Sequence, residues 1–171
     1  MITVRKEKPG DIKQIYFVNE QAFGVSTEAE IVDALRESCP DTLSLVAEDD
    51  GEIIGHIFFS PAEIEWMGKV IRGMGLAPMA VRPDRQRQGI GSQLVKAGLK
   101  ILKEQGCSYV IVLGHPGYYP KFGFEPASKY GLTCQWERVP DEAFMVIVME
   151  PSSLLGVKGV AKYRAEFDAA M

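Results

Sequence analysis

Residues 82–95 read RPDRQRQGIGSQLV: three arginines and two glycines within ten residues, then apolar residues at helical spacing. The start of a helix carries N–H groups without intrahelical partners and the positive end of the backbone dipole, so a glycine-broken strand-to-helix turn suits an anion. Gly89 and Gly91 let a ligand approach the main chain closely. Arg82, Arg85 and Arg87 add positive charge to a chain whose formal net charge is −4. The guest that fits such a turn is a phosphate, and better a pyrophosphate. A Walker A loop would need Lys after its last glycine, and none follows Gly91; the dinucleotide fingerprint would need a third glycine where Leu94 stands.

A second cluster, GHPGYYPKFGFEPA, spans residues 114–127 directly after a β-branched run. Phe122 and Phe124 read as packing residues of a turn that caps the sheet, while Tyr118 and Tyr119 bring phenols to the same place. Four side chains are candidates to accept a proton: His56, Glu63 and Glu65 in one strand, and His115 beyond the end of another. A histidine in a run such as GHIFF most often belongs to the core, and Glu63 and Glu65 share one face of a strand as solvated residues do. The residues alone select no base among the four. Cys39, Cys107 and Cys134 lack CxxC spacing and read as reduced structural thiols, with neither a disulfide framework nor a zinc site.

The elements that would hold these clusters follow from periodicity. Met1–Lys6 alternates as a short strand, and Asp11 is placed to cap a helix over residues 12–22 with Ile12, Ile15, Tyr16, Val18 and Phe23 inward. A second helix fits residues 27–38, with Ile31, Val32 and Leu35 inward and a capping box from Ser26 or Thr27 to Glu30. Three strands follow, residues 43–48, 53–64 and 70–81, joined at Asp49-Asp50-Gly51 and at Gly68-Lys69. The spacing of Ile90, Leu94, Val95, Leu99 and Leu102 predicts a helix over 89–105, ended by Gly106. Residues 109–113 and 144–149 read as neighbouring strands covered on both faces. The order gives an α/β (α+β) fold: a mixed, mostly antiparallel central sheet with helices on both faces and one βαβ crossover, from 70–81 to 109–113.

At 171 residues the chain is expected to form one domain over 1–150, with 151–171 an extension of the same domain carrying an edge strand and a short tail. The negative balance and the absence of any Lys/Arg run longer than two argue against a nucleic-acid partner. No window approaches the roughly 18 apolar residues of a membrane span, and the N-terminus lacks the apolar core of a signal peptide, so no membrane partner and a cytoplasmic location are expected.

Gln86-x-x-Gly89-x-Gly91, set between a strand and a helix in this order of elements, resembles the signature of the Gcn5-related N-acetyltransferase (GNAT) superfamily. The resemblance extends over the elements from Ile2 to about Glu150, and the wording of 114–127 together with the C-terminal GVKGVAKYRAEF is similar to a bacterial branch of predicted acetyltransferases. It implies the acyl-CoA N-acyltransferase fold with splayed fourth and fifth strands, acetyl-CoA as cosubstrate, no metal, and transfer of the acetyl group to a primary amine of a small molecule or protein. By the same resemblance the main chain of Met79, Ala80 and Val81 pairs with the pantetheine arm, and Gln86 opens the loop. The amides of Arg87, Gln88, Gly89, Ile90, Gly91 and Ser92 take the pyrophosphate. Tyr119-Pro-Lys-Phe-Gly123-Phe124 matches the spacing that places a tyrosine beside the thiol, which implies Tyr119 as general acid; His115 is the candidate base at the site. His115-Pro116-Gly117 departs from the family, where many members carry Asn or an Ala-rich turn. A monomer or homodimer is expected. The alternative on the same fold is a non-catalytic sensor of coenzyme A or its acyl forms.

Overall fold

The computed structural model describes residues 1–171. Its main elements in chain order are β1 (Ile2–Lys6), α1 (Ile12–Phe23), α2 (Thr27–Ser38), β2 (Leu43–Asp49), β3 (Glu52–Trp66), β4 (Lys69–Val81), α3 (Ile90–Glu104), β5 (Tyr109–Leu113), β6 (Glu125–Pro126), β7 (Leu132–Cys134), β8 (Phe144–Val148) and β9 (Gly159–Lys162). The sheet runs in the order β1-β2-β3-β4-β5-β8-β6, with β9 pairing both β3 and β7. β1–β2, β2–β3, β5–β8, β6–β8 and β3–β9 are antiparallel, whereas β4–β5 and β7–β9 are parallel. The β4–β5 register joins Met74, Gly75 and Leu76 to Val110, Ile111 and Val112, and β4 runs on to Val81 beyond it.

By internal contacts the chain divides into two compact units, through both of which β3 and β4 pass. The first comprises Met1–Phe59, Ala77–Ile101 and Glu166–Met171; the second comprises Ser60–Leu76 and Leu102–Ala165. In the first unit, α1 and α3 cover opposite faces of β3. Successive strand side chains alternate between faces. A Cβ at Gly55 would lie 3.0 Å from Ile90 and 3.1 Å from Leu94 of α3, whereas the adjacent His56 bonds to Asn19 of α1. The apolar side chains of α3 that periodicity marks are buried, including Ile90, Leu94 and Val95, each contributing roughly 1.5 to 3 kcal/mol on transfer from water. Gly98 lets that helix close on the sheet, since a Cβ there would stand 2.4 Å from the Phe59 ring. In the second unit, Tyr109 to Val112 of β5 are fully buried between β4 and β8, as a strand without polar alternation requires.

Several local expectations need correction. Asp11 does not cap α1 with its side chain: its carboxylate accepts from the Arg5 guanidinium at 2.7 and 3.1 Å and from the Lys8 amide at 2.7 Å. The box at Ser26 is likewise not formed, because Ser26 Oγ donates to the Glu30 carboxylate instead of accepting from the main chain. On α1 the buried stripe is Ile15, Val18 and Asn19, while Phe23 is 42 % exposed; a polar residue takes the inward place because His56 needs its amide. The second hairpin turns at Met67 and Gly68, with φ 53° and 73°, one residue before the expected Gly68-Lys69. β9 is bordered on two sides, by β3 and β7, where the pattern suggested an edge strand. No helix is long and apolar enough to cross a membrane.

Candidate functional site

The turn between β4 and α3 lies wholly in the first unit and is built by its own main chain. Arg82 N–H donates to the Ile54 carbonyl at 2.9 Å, which fixes the end of β4, and Gln86 Nε2 donates to the Val81 carbonyl at 3.1 Å, which folds the loop back on the strand. Arg87 and Gly89 then adopt left-handed backbone, φ 64° and 80°. For Arg87 that conformation costs about 1 to 2 kcal/mol, a strain typical of ligand-binding turns. The helix's own ladder starts with Gln93 N–H donating to the Gly89 carbonyl at 3.1 Å, so Ile90, Gly91 and Ser92 precede its first donor. Nothing lies within 4 Å of where a Cβ of Gly89 would project, so space for an anion borders these amides. Ala80 is buried, with Met79 and Val81 half-buried on either side.

The arginines carry less of this site than the sequence suggests. Arg82 pairs with Asp84 at 2.8 Å and with Glu52 at 3.1 Å, and Arg85 pairs with Asp49 at 2.9 Å. The Arg85 guanidinium, together with the N-terminal ammonium, holds Asp49 below the usual carboxylate range, and Arg82 does the same for Asp84. Arg87 is exposed and forms no ion pair, so of the three it alone offers an uncommitted guanidinium.

His115 and Tyr119 belong to the second unit. Tyr119 opens a short 3-10 turn, Tyr119–Phe122, and the His115 carbonyl accepts from the amides of Tyr118 at 3.0 Å and Tyr119 at 3.3 Å. The Tyr119 ring is buried and meets Tyr118 and Phe124 edge-on, at centroid distances of 5.2 and 5.7 Å. Burial, and secondarily Tyr118, raises its phenol above the ordinary range, so it is a proton carrier throughout neutral pH. Gly114 is a neighbour of the candidate acid that sequence reasoning missed: a Cβ there would stand 2.4 Å from Tyr119 Cε2 and 2.9 Å from Cδ2. Its signal was a glycine directly at the end of a buried strand, where a ring must lie flat on the main chain. The His115 side chain is exposed, and what the turn takes from this residue is its carbonyl.

His56 is a core residue. Asn19 Nδ2 donates to the Ile15 carbonyl and to His56 Nδ1, each at 3.0 Å, which leaves the ring proton on Nε2 facing Ser44 Oγ at 2.8 Å. Ser44 Oγ in turn donates to Glu7 at 2.7 Å, and Arg36 closes the chain on Glu7 with two bonds of 2.8 Å. Burial lowers the His56 imidazole to about 3, the Glu7 charge opposing and the Arg36 charge adding. Both ring nitrogens are therefore committed to the interior. Glu63 and Glu65 are exposed on one strand face. No group of three or more His, Cys, Asp or Glu side chains is gathered as a metal site would require.

Comparison with known proteins agrees with this architecture. A family model described as the acetyltransferase (GNAT) domain matches residues 3–127. The uncharacterized N-acetyltransferase YhbS of Escherichia coli (strain K12) is 38% identical over 166 residues, covering 96% of this chain and 98% of the relative. The crystal structure of E. coli YhbS in complex with CoA superposes with a TM-score of 0.90, covering 98% of this chain and 92% of that one. A GNAT family acetyltransferase from Brucella melitensis in complex with acetyl-CoA is 37% identical and superposes with a TM-score of 0.79, covering 98% and 99% of the two chains.

Proposed function

The chain belongs to the GNAT acetyltransferase family and is an acyltransferase; from that premise we propose that it moves an acetyl group from acetyl-CoA to a primary amine by direct attack in a ternary complex. The observation that carries the reading is the turn at residues 86–92, folded back by Gln86 onto Val81, with left-handed backbone at Arg87 and Gly89 and open space at Gly89. The amides from Arg87 to Ser92 hold the pyrophosphate, aided by the α3 dipole. The main chain of Met79, Ala80 and Val81 pairs with the pantetheine arm as an added strand would. The neutral amine attacks the thioester carbonyl, whose oxygen, as negative charge gathers on it, is stabilised by a main-chain N–H near Ala80. Collapse of the tetrahedral intermediate breaks the C–S bond, and Tyr119 gives its phenolic proton to the leaving thiolate. His115, exposed at the start of the Tyr119–Phe122 turn, is the candidate to take the proton released by the amine.

Isothermal titration of acetyl-CoA into the wild-type protein and Gly89→Asp tests the cofactor placement. A carboxylate at residue 89 sets a negative charge against the pyrophosphate and is expected to weaken binding by about tenfold or more. Equal affinity in the two proteins would remove the pyrophosphate from this turn, and no binding to the wild type would remove the donor. A panel of amine acceptors with thiol release as readout then identifies the acceptor class.

A further inference from the structure

Helix α1 has little apolar anchorage for its length. Of its 12 residues only Ile15, Val18 and Asn19 are buried, and the third is polar; Phe17 is 55 % exposed. On the opposite face of the same unit, α3 buries Ile90, Leu94, Val95 and Leu99. An element with few buried apolar contacts is the one that opens ahead of global unfolding. What supplements Ile15 and Val18 is polar. Gln14 Oε1 accepts from Ile53 N–H at 3.0 Å on the exposed flank of the helix, and Asn19 donates to His56 inside the core.

The rest of the chain of bonds fixes the direction of the Asn19–His56 bond. Arg36 holds Glu7 as a carboxylate with two bonds, so Ser44 Oγ donates to Glu7 and accepts from His56 Nε2–H, and Nδ1 is left to accept from Asn19. A proton on Nδ1 has no place in that arrangement. It would face the Asn19 Nδ2 donor at 3.0 Å, and turning the amide over would set Oδ1 against the Ile15 carbonyl, to which Nδ2 donates at 3.0 Å. Asn19 Oδ1 is buried without a partner, so the two donor bonds alone orient the amide. The charges that act on the ring are Glu7, beyond Ser44, and Arg36, which is also paired with Asp33 at 2.7 Å; Asn19, Ser44 and the Phe58 ring, 6.0 Å away between centroids, are neutral. Burial, ahead of either charge, holds the imidazole at about 3.

We propose that His56 is an acid-sensitive latch on α1: the neutral ring holds Asn19 and with it the helix, and the ring takes a second proton only once α1 has left the sheet. Below about pH 6.5, the ordinary range of an exposed imidazole, protonation traps the open form, which gains about tenfold in population for each further pH unit. The flank of α1 at Gln14, Phe17 and Gln21 walls a cleft of about 470 Å³, with Ile53, Arg82 and Pro83 opposite. Release of the helix takes away that wall, at the start of the β4–α3 turn. The latch does not depend on the acetyl-CoA reading.

Native-state amide hydrogen exchange of the whole protein between pH 7 and pH 5, corrected for intrinsic rates, tests the latch. In the wild type the α1 amides are expected to have an opening constant about tenfold or more above that of the α3 amides, and it should rise about 25-fold from pH 7 to pH 5. His56→Gln keeps an acceptor toward Asn19 and a donor toward Ser44 but cannot titrate, so the α1 opening constant should stay level over that range. One common opening constant for α1 and α3, no pH dependence at α1 in the wild type, or the same dependence in His56→Gln would each overturn the proposal. The ring nitrogen chemical shifts of His56 give a check that needs no variant. At pH 5 the wild type should show a neutral ring with its proton on Nε2, and a charged ring beneath a protected α1 would refute the latch.

Discussion

Gly114→Ala is the sharpest probe of Tyr119, because it moves the phenol without removing it. The new Cβ would stand 2.4 Å from Tyr119 Cε2, and carbon atoms settle at about 3.5 Å or more, so the ring must retreat by roughly 1 Å. It has little freedom to do so, with Tyr118 edge-on at 5.2 Å and Phe124 edge-on at 5.7 Å. Overpacking of this kind costs about 1 to 3 kcal/mol of stability, which lowers the melting temperature by several degrees in a chain of this size. A displacement of about 1 Å in a reacting group is worth up to about 100-fold in rate. Initial rates of thiol release should therefore fall about 100-fold in kcat, with acetyl-CoA affinity nearly unchanged. Gly117→Ala serves as the control, since nothing lies within 4 Å of its added Cβ, and its kcat should match the wild type. A Gly114→Ala enzyme with wild-type kcat and melting temperature would refute both the packing argument and the placement of Tyr119 at the chemistry.

Tyr119→Phe preserves that packing and removes only the proton, so kcat should drop by about 100-fold or more while acetyl-CoA affinity holds; turnover within twofold of the wild type would take the phenol out of the mechanism. Because burial raises the Tyr119 phenol, the kcat profile should show no alkaline loss traceable to this residue up to about pH 10, and a variant that abolished a limb below that pH would contradict this. His56, lowered to about 3 by burial, stays neutral in the folded protein where the unfolded chain is protonated. Stability should therefore fall as pH drops from about 6.5 toward 3, by about 1.4 kcal/mol per pH unit for this one group. Denaturant titrations between pH 5 and 6.5 should show that slope in the wild type and lose it in His56→Gln; equal slopes would place the titration elsewhere.

What the sequence makes readable depends on how far apart the cooperating residues stand. The helices and strands announce themselves because their signal is a period of a few residues, and α3 buries the stripe that spacing picks out. Caps are also local, yet two were misread, because Asp11 and Ser26 each had a nearer charged partner, Arg5 in one case and Glu30 in the other. Asn19 sits on the inward face of a helix for a reason 37 residues away, the His56 ring, and no apolar period can show that. Tyr163 is the extreme case: its hydroxyl donates to the Leu76 carbonyl, 87 residues earlier, and the only trace in the sequence is Gly75, one glycine among 17, where a Cβ would stand 2.6 Å from the Tyr163 ring.

The turn proposed to hold the pyrophosphate shows the same limit in its electrostatics. Composition counts three arginines and infers a positive patch, whereas the fold sets Asp84 and Glu52 on Arg82 and Asp49 on Arg85. Exposed pairs of this kind contribute little to stability, but they offset the local charge that an approaching anion would feel. On the proposed reading, affinity for a pyrophosphate comes from groups that no carboxylate can neutralise, the main-chain amides and the end of the α3 dipole. On that reading spacing carries more information than charge. Gln86 folds the loop by bonding to Val81, and Gly89 supplies the left-handed backbone and the room, so the motif describes the shape of a main-chain cradle, to which Arg87 adds the one guanidinium left uncommitted.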